Sequence, residues 1–154
     1  MNLAGLWDDA IEIQGQLSDC YEALSRTKKN GAARELKTLA AEERDHVSVL
    51  LAGKSVALGV PEAGPSGGAD GEIEAGLESA RELWADISDG RLDLSEALSR
   101  LALLEERFEK VFLEAAIKAG DFSLKKLFEA LAKAEAEHRH RLGRLLAGLR
   151  GPLS

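Results

Sequence analysis

Residues 58–76 read LGVPEAGPSGGADGEIEAG, and the fold of this chain depends on this stretch. Six glycines and two of the chain's three prolines collect here, and both residue types interrupt helices. The stretch separates two halves that repeat one pattern of apolar residues. It therefore predicts a long connection between two similar helical units.

The composition of the 154 residues favours a single all-α domain spanning 1–154. The chain is 45% hydrophobic and 31% charged but only 5% aromatic, which is typical of a helical bundle. A net charge of −7 argues against binding to nucleic acid or to an anionic membrane. The one cysteine, Cys20, excludes an intrachain disulfide, and we find no signal peptide or membrane-spanning stretch, so we expect a cytoplasmic protein.

Apolar residues recur at alternating steps of three and four in both halves, which is the core-facing seam of a bundle helix. Asp93 stands where it would cap one of these helices. Two hairpins joined by a long crossover form the ferritin-like four-helix bundle, because a short link would give a simple up-down-up-down bundle. The seams predict helices at 3–28, 32–53, 94–119 and 122–149, with a short helix at 77–88 inside the crossover 54–93.

Six polar residues occupy seam positions where a bundle needs Leu or Ala. A carboxylate buried alone at such a position is costly unless it is paired, protonated or bound to a metal. Gln14 precedes Glu43 by 29 residues and Glu105 precedes Glu135 by 30, so the two hairpins place these residues at matching heights. The six residues are Gln14, Glu43, His46, Glu105, Glu135 and His138.

The spacing within this set indicates a metal site. Residues three apart share one helix face, so each Glu-x-x-His pair, Glu43 with His46 and Glu135 with His138, can reach one ion. Two such pairs and a carboxylate from each remaining helix would form a dimetal site, and five of the six positions match. The third such pair of the chain, Glu137 and His140, lies off the seam and is interpreted as surface. A hydrogen-bonded core network without metal is the alternative.

The chain resembles the rubrerythrin branch of the ferritin-like superfamily. The resemblance lies in four segments: AIEIQGQLSDCYEAL (10–24), LKTLAAEERDHVSVL (36–50), LALLEERFEKVF (101–112) and LFEALAKAEAEHRHRL (127–142). It implies that Glu43 and Glu135 bridge two ions and that Glu105 and His138 complete one iron position. Gln14 and His46 would complete the other.

Two features depart from that family. Gln14 stands where the family has Glu, so we expect one tightly bound ion, held by Glu105, His138 and the bridging carboxylates, and a weaker second position. The rubredoxin module of a full rubrerythrin needs four cysteines, so electrons would come from a separate protein. Tyr21 is a candidate to hydrogen-bond a ligating carboxylate, or else a seam residue with its hydroxyl near solvent.

The resemblance implies an iron protein, di-iron or mononuclear, that reacts with peroxide or oxygen, with manganese or zinc as alternative metals. The competing function is a non-catalytic structural or interaction module with a degenerate metal site. A histidine phosphotransfer bundle is disfavoured because it needs an exposed histidine, and His46 faces the seam. We expect a homodimer, the commoner arrangement in this branch, although an iron-storage cage is also compatible.

Overall fold

A computed structural model of the chain describes residues 3–27, 31–59 and 69–149. Those residues form five α-helices and no β-strand, which confirms the all-α class. None of these helices is long and apolar enough to cross a membrane. The helices are α1 (Leu3–Arg26), α2 (Gly31–Gly59), α3 (Ala69–Ser88), α4 (Leu94–Lys118) and α5 (Phe122–Leu149).

The sequence prediction placed the end of α2 too early. The helix continues to Gly59 instead of ending at 53, because Gly53 is a packing contact rather than a stop signal. A Cβ added at Gly53 would lie 2.8 Å from Cδ1 of Leu127 and 3.0 Å from the ring of Trp7. The missing side chain therefore lets α1 and α5 approach α2 closely.

The crossover helix is also longer than predicted, since α3 begins at Ala69 rather than at 77. Ile73 and Leu77 are buried at helical spacing, so packing extends the helix into the glycine-rich stretch. A Cβ added at Gly76 would lie 2.6 Å from the ring of Phe108, so this glycine allows α3 to approach α4. Residues 60–68, the centre of the predicted loop, lie outside the described ranges.

The remaining bounds differ little from the prediction. α1 ends at Arg26 rather than at 28, α4 ends at Lys118 rather than at 119, and α5 has the predicted bounds. Asp93 caps α4 as predicted, since its Oδ1 accepts a hydrogen bond from the backbone N–H of Glu96 at 2.8 Å.

Helices α1 and α2 form one antiparallel hairpin. Lys54 donates to Asp8 at 2.5 Å near one end, and Arg44 donates to Glu22 at 2.8 Å near the other. The order of these pairs along the two helices shows that the helices run in opposite directions. The interface brings the middle of α1 against the middle of α2.

Helices α4 and α5 form a second antiparallel hairpin. Arg139 donates to Glu109 at 2.7 Å, and the rings of Phe112 and Phe128 stack with centroids 6.3 Å apart. Phe112 follows Glu109 along α4, whereas its partner Phe128 precedes Arg139 along α5, so the two helices run in opposite directions. The middle parts of the helices of both hairpins therefore line the common core.

Helix α3 joins the hairpins by packing against α1 on one side and α4 on the other. Arg100 donates to Asp86 at 2.8 Å and Arg107 lies 3.5 Å from Ser79, so α3 runs antiparallel to α4. It carries the chain back along the bundle, so that α2 and α4 run in the same direction. α2 meets α5 across the core.

Candidate metal centre

The six polar seam residues lie in one layer at the middle of the bundle. Four of them have no exposed surface, His138 is 1% exposed, and the side chain of His46 is 12% exposed. Glu137 and His140 are exposed, as predicted for the pair off the seam. The four fully buried residues are Gln14, Glu43, Glu105 and Glu135.

His138 marks the tighter side of the layer. Its Nδ1 lies 2.7 Å from Oε1 of Glu43 and 2.8 Å from Oε2 of Glu105. Together with Glu135, these residues offer one ligand atom each within 4.8 Å of one another. Four buried side chains from α2, α4 and α5 thus form a cluster that could hold a metal ion.

His46 marks the other side of the layer. Its Nδ1 lies 3.4 Å from Oε2 of Glu43, 3.4 Å from Oε1 of Glu135 and 3.2 Å from Oε1 of Gln14. Two ligands bound at about 2.1 Å to one ion at angles of about 90° to 110° lie roughly 3.0 to 3.4 Å apart. The atoms around His46 therefore have the separations of ligands that share an ion.

Glu43 connects the two sides, since one of its oxygens faces each histidine. The imidazoles of His46 and His138 are stacked, with centroids 5.4 Å apart and planes 17° from parallel. A carboxylate spanning two imidazoles in this way has the arrangement of a bridging ligand. The structure brings all six sequence-predicted residues into this layer.

Several carboxylate oxygens of the layer are buried without a hydrogen-bond donor. Burying a carboxylate oxygen away from any donor is costly, and hard cations bind such oxygens well. The donor set of carboxylates and imidazoles thus fits a divalent transition-metal ion. Within the described ranges, the oxygens that accept no hydrogen bond are Oε2 of Glu43, Oε1 of Glu105, and both oxygens of Glu135. Of these, Oε2 of Glu43 and Oε1 of Glu135 lie at an ion-pair distance of 3.4 Å from Nδ1 of His46.

Two acids of the layer, Glu105 and Glu135, hold their protons more strongly than usual. Burial raises the pKa of Glu105, and the nearby charge of Glu43 raises it further. Burial also raises the pKa of Glu135 well above its usual range, and the charge of Glu105 adds to this effect. Proton release from either acid is therefore disfavoured unless another positive charge takes the proton's place.

The two imidazoles are strong bases in this surrounding. Burial alone would lower the pKa of His46, but the carboxylates of Glu135 and Glu43 outweigh it and raise the pKa to about 10. At His138, burial is outweighed in the same way by Glu105 and Glu43, which raise the pKa to about 12. Protons thus balance the carboxylates in the metal-free protein, and a metal must displace them.

Tyr21 lies inside the core rather than near solvent. It is 0% exposed, and its hydroxyl makes no hydrogen bond to any residue that the structure describes. Burial raises the pKa of Tyr21 well above its usual range, and the charge of Glu105 is the next cause. Tyr21 therefore faces the carboxylate layer, and its role beside a ligating carboxylate stays a prediction.

Sequence reasoning missed the residues on the outer side of His138. Nε2 of His138 lies 3.0 Å from Oε1 of Glu42, and Arg141 in turn donates to Glu42 and Glu35. Arg141 belongs to a basic run near the end of α5, with Arg139 and Arg144. Its spacing of three from His138 was the available signal, since it places both residues on one face of α5.

No protein-family model, no curated protein and no solved structure matches this chain.

Proposed function

We propose that this chain is a ferritin-like metalloprotein that binds iron, or alternatively manganese or zinc, in the core of its bundle. The observation that supports this best is the cluster of Glu43, Glu105, Glu135 and His138, whose buried ligand atoms lie within 4.8 Å of one another. Oxygens of all three carboxylates lack donors among the described residues, which a core built only for hydrogen bonding would avoid.

The direction of the helices supports the ferritin-like part of the proposal. Because α3 returns the chain along the bundle, α2 and α4 run parallel and each hairpin contributes two helices to the same layer. One Glu-x-x-His pair comes from α2 and the other from α5, while α1 and α4 contribute Gln14 and Glu105. This is the distribution of ligands in ferritin-like dimetal proteins, apart from the amide of Gln14.

The two metal positions of the proposed site are unequal. Glu105 and His138 would complete the first position, and Gln14 and His46 the second, with Glu43 and Glu135 between them. An amide oxygen is a weaker ligand than a carboxylate, and three carboxylates leave one positive charge of two divalent ions uncompensated in a buried site. The first ion should therefore bind tightly and the second weakly.

The activity we propose for the iron-loaded protein is reduction of peroxide or oxygen. Bound iron would supply the electron transfer to such a substrate. The chain itself holds the ligands in a core that excludes bulk water, and the Nδ1 atoms of His46 and His138 hold protons that metal binding must release. A separate electron-donor protein and a homodimer complete the proposal.

A non-catalytic module is the second candidate, and the contact between Gln14 and His46 favours it. Nδ1 of His46 lies within hydrogen-bond distance of Oε1 of Gln14, so a proton on this nitrogen can be donated to the amide oxygen without a metal. A chain that used its core in this way would keep the fold with no more than one occupied position.

Metal analysis of the purified full-length protein tests the proposal. Elemental analysis after loading with iron or manganese should find one ion that resists gentle chelation, and chelation should lower the melting temperature. His138→Gln should remove that ion, whereas His140→Gln, at an exposed position, should retain it. Equal metal content in wild type and His138→Gln would contradict the proposal. Peroxide consumption by the iron-loaded protein then separates the enzyme from the non-catalytic module.

A further inference from the structure

His138 is held from outside the carboxylate layer as well as from inside it. Nε2 of His138 lies 3.0 Å from Oε1 of Glu42, on the edge of the ring away from the layer. Nη1 of Arg141 donates to both carboxylate oxygens of Glu42, at 2.8 and 3.0 Å, and Nε of Arg141 donates to Glu35 at 2.5 Å. Glu42, Arg141 and Glu35 form what we call the outer chain.

The outer chain differs from an ordinary surface ion pair because its arginine is nearly buried. Arg141 is only 9% exposed and lies between two carboxylates that balance its charge. Both carboxylate oxygens of Glu42 accept hydrogen bonds from Nη1 of Arg141, and Oε1 of Glu42 also lies 3.0 Å from Nε2 of His138. Glu42 is therefore an acceptor held in place on one side of the imidazole.

Among the residues that the structure describes, no group like the outer chain contacts His46. Within the described part of the protein, Nε2 of His46 has no hydrogen-bond partner, and its only polar contacts are made by Nδ1. The two imidazoles therefore differ in how firmly the protein orients them. This difference between the two histidines adds to the difference between the carboxylate of Glu105 on one side of the layer and the amide of Gln14 on the other.

We propose that Glu42 is a positioning residue that makes His138 the stronger of the two histidine ligands. By accepting a hydrogen bond from the Nε2–H of His138, Glu42 keeps the proton on that nitrogen, so that Nδ1, which faces Glu43 and Glu105, is the nitrogen that releases its proton and binds the ion. The negative charge of Glu42 also makes the imidazole of His138 a stronger ligand for a metal cation. This inference rests on the proposed metal-binding function and identifies the position that fills first.

The test measures metal affinity in variants of the outer chain, with zinc and manganese as separate probes and a competing chelator as reporter. Glu42→Ala should weaken binding of the first ion about ten- to hundredfold, the usual effect of removing such a partner. Glu42→Gln keeps an acceptor oxygen without the charge, so its loss should be smaller. Glu109→Gln is the matched control, since it breaks the pair with Arg139 without contacting His138.

Two further measurements separate positioning from general stability. The melting temperature of each metal-free variant reports any loss of fold, and nitrogen NMR of the zinc-loaded protein reports which imidazole nitrogen of His138 carries the proton. We expect protonated Nε2 in wild type and loss of the single tautomer in Glu42→Ala. If Glu42→Ala does not fold, the metal affinities of Glu42→Gln and Glu109→Gln are compared instead, and weaker binding by Glu42→Gln alone supports the role of Glu42.

Equal zinc affinity in Glu42→Ala and Glu109→Gln would overturn the inference while leaving the metal site intact. The same conclusion would follow if Glu42→Gln bound zinc as tightly as wild type and the proton of His138 stayed on Nε2 in Glu42→Ala. Failure of the wild-type protein to bind either metal would overturn the proposed function itself, and with it the role of Glu42.

Discussion

Nδ1 of His46 lies 3.2 Å from Oε1 of Gln14 across the interface of α1 and α2. This contact occupies the place where a carboxylate would complete the proposed second metal position. Nε2 of the same amide is buried without a partner among the described residues, so Gln14 is an imperfect fit to the metal-free core. Gln14 is therefore the residue whose substitution should change the number of bound ions.

Gln14→Glu should strengthen binding at the second position by about tenfold, equivalent to about 1.4 kcal/mol, because it supplies the missing negative charge. Metal stoichiometry from elemental analysis should rise from one toward two ions for each chain. Gln14→Leu is the control, and it should lose the second ion while retaining the first. An unchanged stoichiometry in Gln14→Glu would show that the amide does not limit the site.

Glu135→Leu should stabilise the metal-free protein and abolish tight metal binding. Both carboxylate oxygens of Glu135 are buried without hydrogen-bond donors in the described structure, and burying a polar group in this way costs about 1 to 3 kcal/mol, which Leu avoids. His46 loses its contact with Glu135 at 3.4 Å but keeps the one with Glu43 at the same distance. Glu137→Leu, two residues along and exposed, should change that free energy by less than about 0.5 kcal/mol. Denaturant unfolding in a chelator measures both variants. Marked destabilisation by Glu135→Leu would instead favour a structural polar network.

The metal-free protein should become less stable as pH rises from about 6.5 to about 10. The pKa of His46 is raised from 6.5 to about 10 in the folded protein, so its contribution is complete below 6.5 and lost by about pH 10. For each proton that the folded state binds in excess of the unfolded state, the free energy of unfolding falls by up to about 1.4 kcal/mol for each unit by which the pH rises in this window. The raised pKa values of Glu105 and Glu135 act in the same direction.

Calorimetry in a chelator measures this pH dependence. His46→Gln should flatten the fall in melting temperature, whereas His140→Gln, at an exposed position, should leave it unchanged. Metal should reverse the trend, because its binding releases protons and strengthens with pH. A melting temperature that rises from pH 6.5 to 9 without metal would contradict the raised pKa values.

Gly53→Ala should destabilise the bundle by about 1 to 3 kcal/mol, the usual cost of overpacking a core. The added Cβ would lie 2.8 Å from Leu127 and 3.0 Å from Trp7, both packed side chains. Gly143→Ala is the matched control in α5, where a Cβ meets nothing within 4 Å, and it should stabilise by about 0.5 to 1 kcal/mol. Equal effects of the two substitutions in urea unfolding would show that α2 does not need the close approach.

The candidate site was predictable to the extent that it depends on helical phase. Gln14, Glu43, Glu105 and Glu135 could be assigned to seams because apolar residues on both sides repeat at steps of three and four. The same phase excluded Glu137 and His140, which are exposed. Glu42 was not predictable in this way, because its role depends on a contact with α5, far away in the chain.

The sequence by itself determined the helical class, most helix bounds and the layer of six polar residues, because each of these follows from a local period along the chain. Only the tertiary structure decided that Gly53 and Gly76 are packing contacts within helices. A glycine that ends a helix and a glycine that allows close packing within a helix have the same backbone preferences. Only the atoms that face the glycine distinguish the two roles. Tertiary structure also decided which imidazole faces which buried carboxylate and that Glu42 contacts His138, since both depend on distances between helices that no spacing in the sequence specifies.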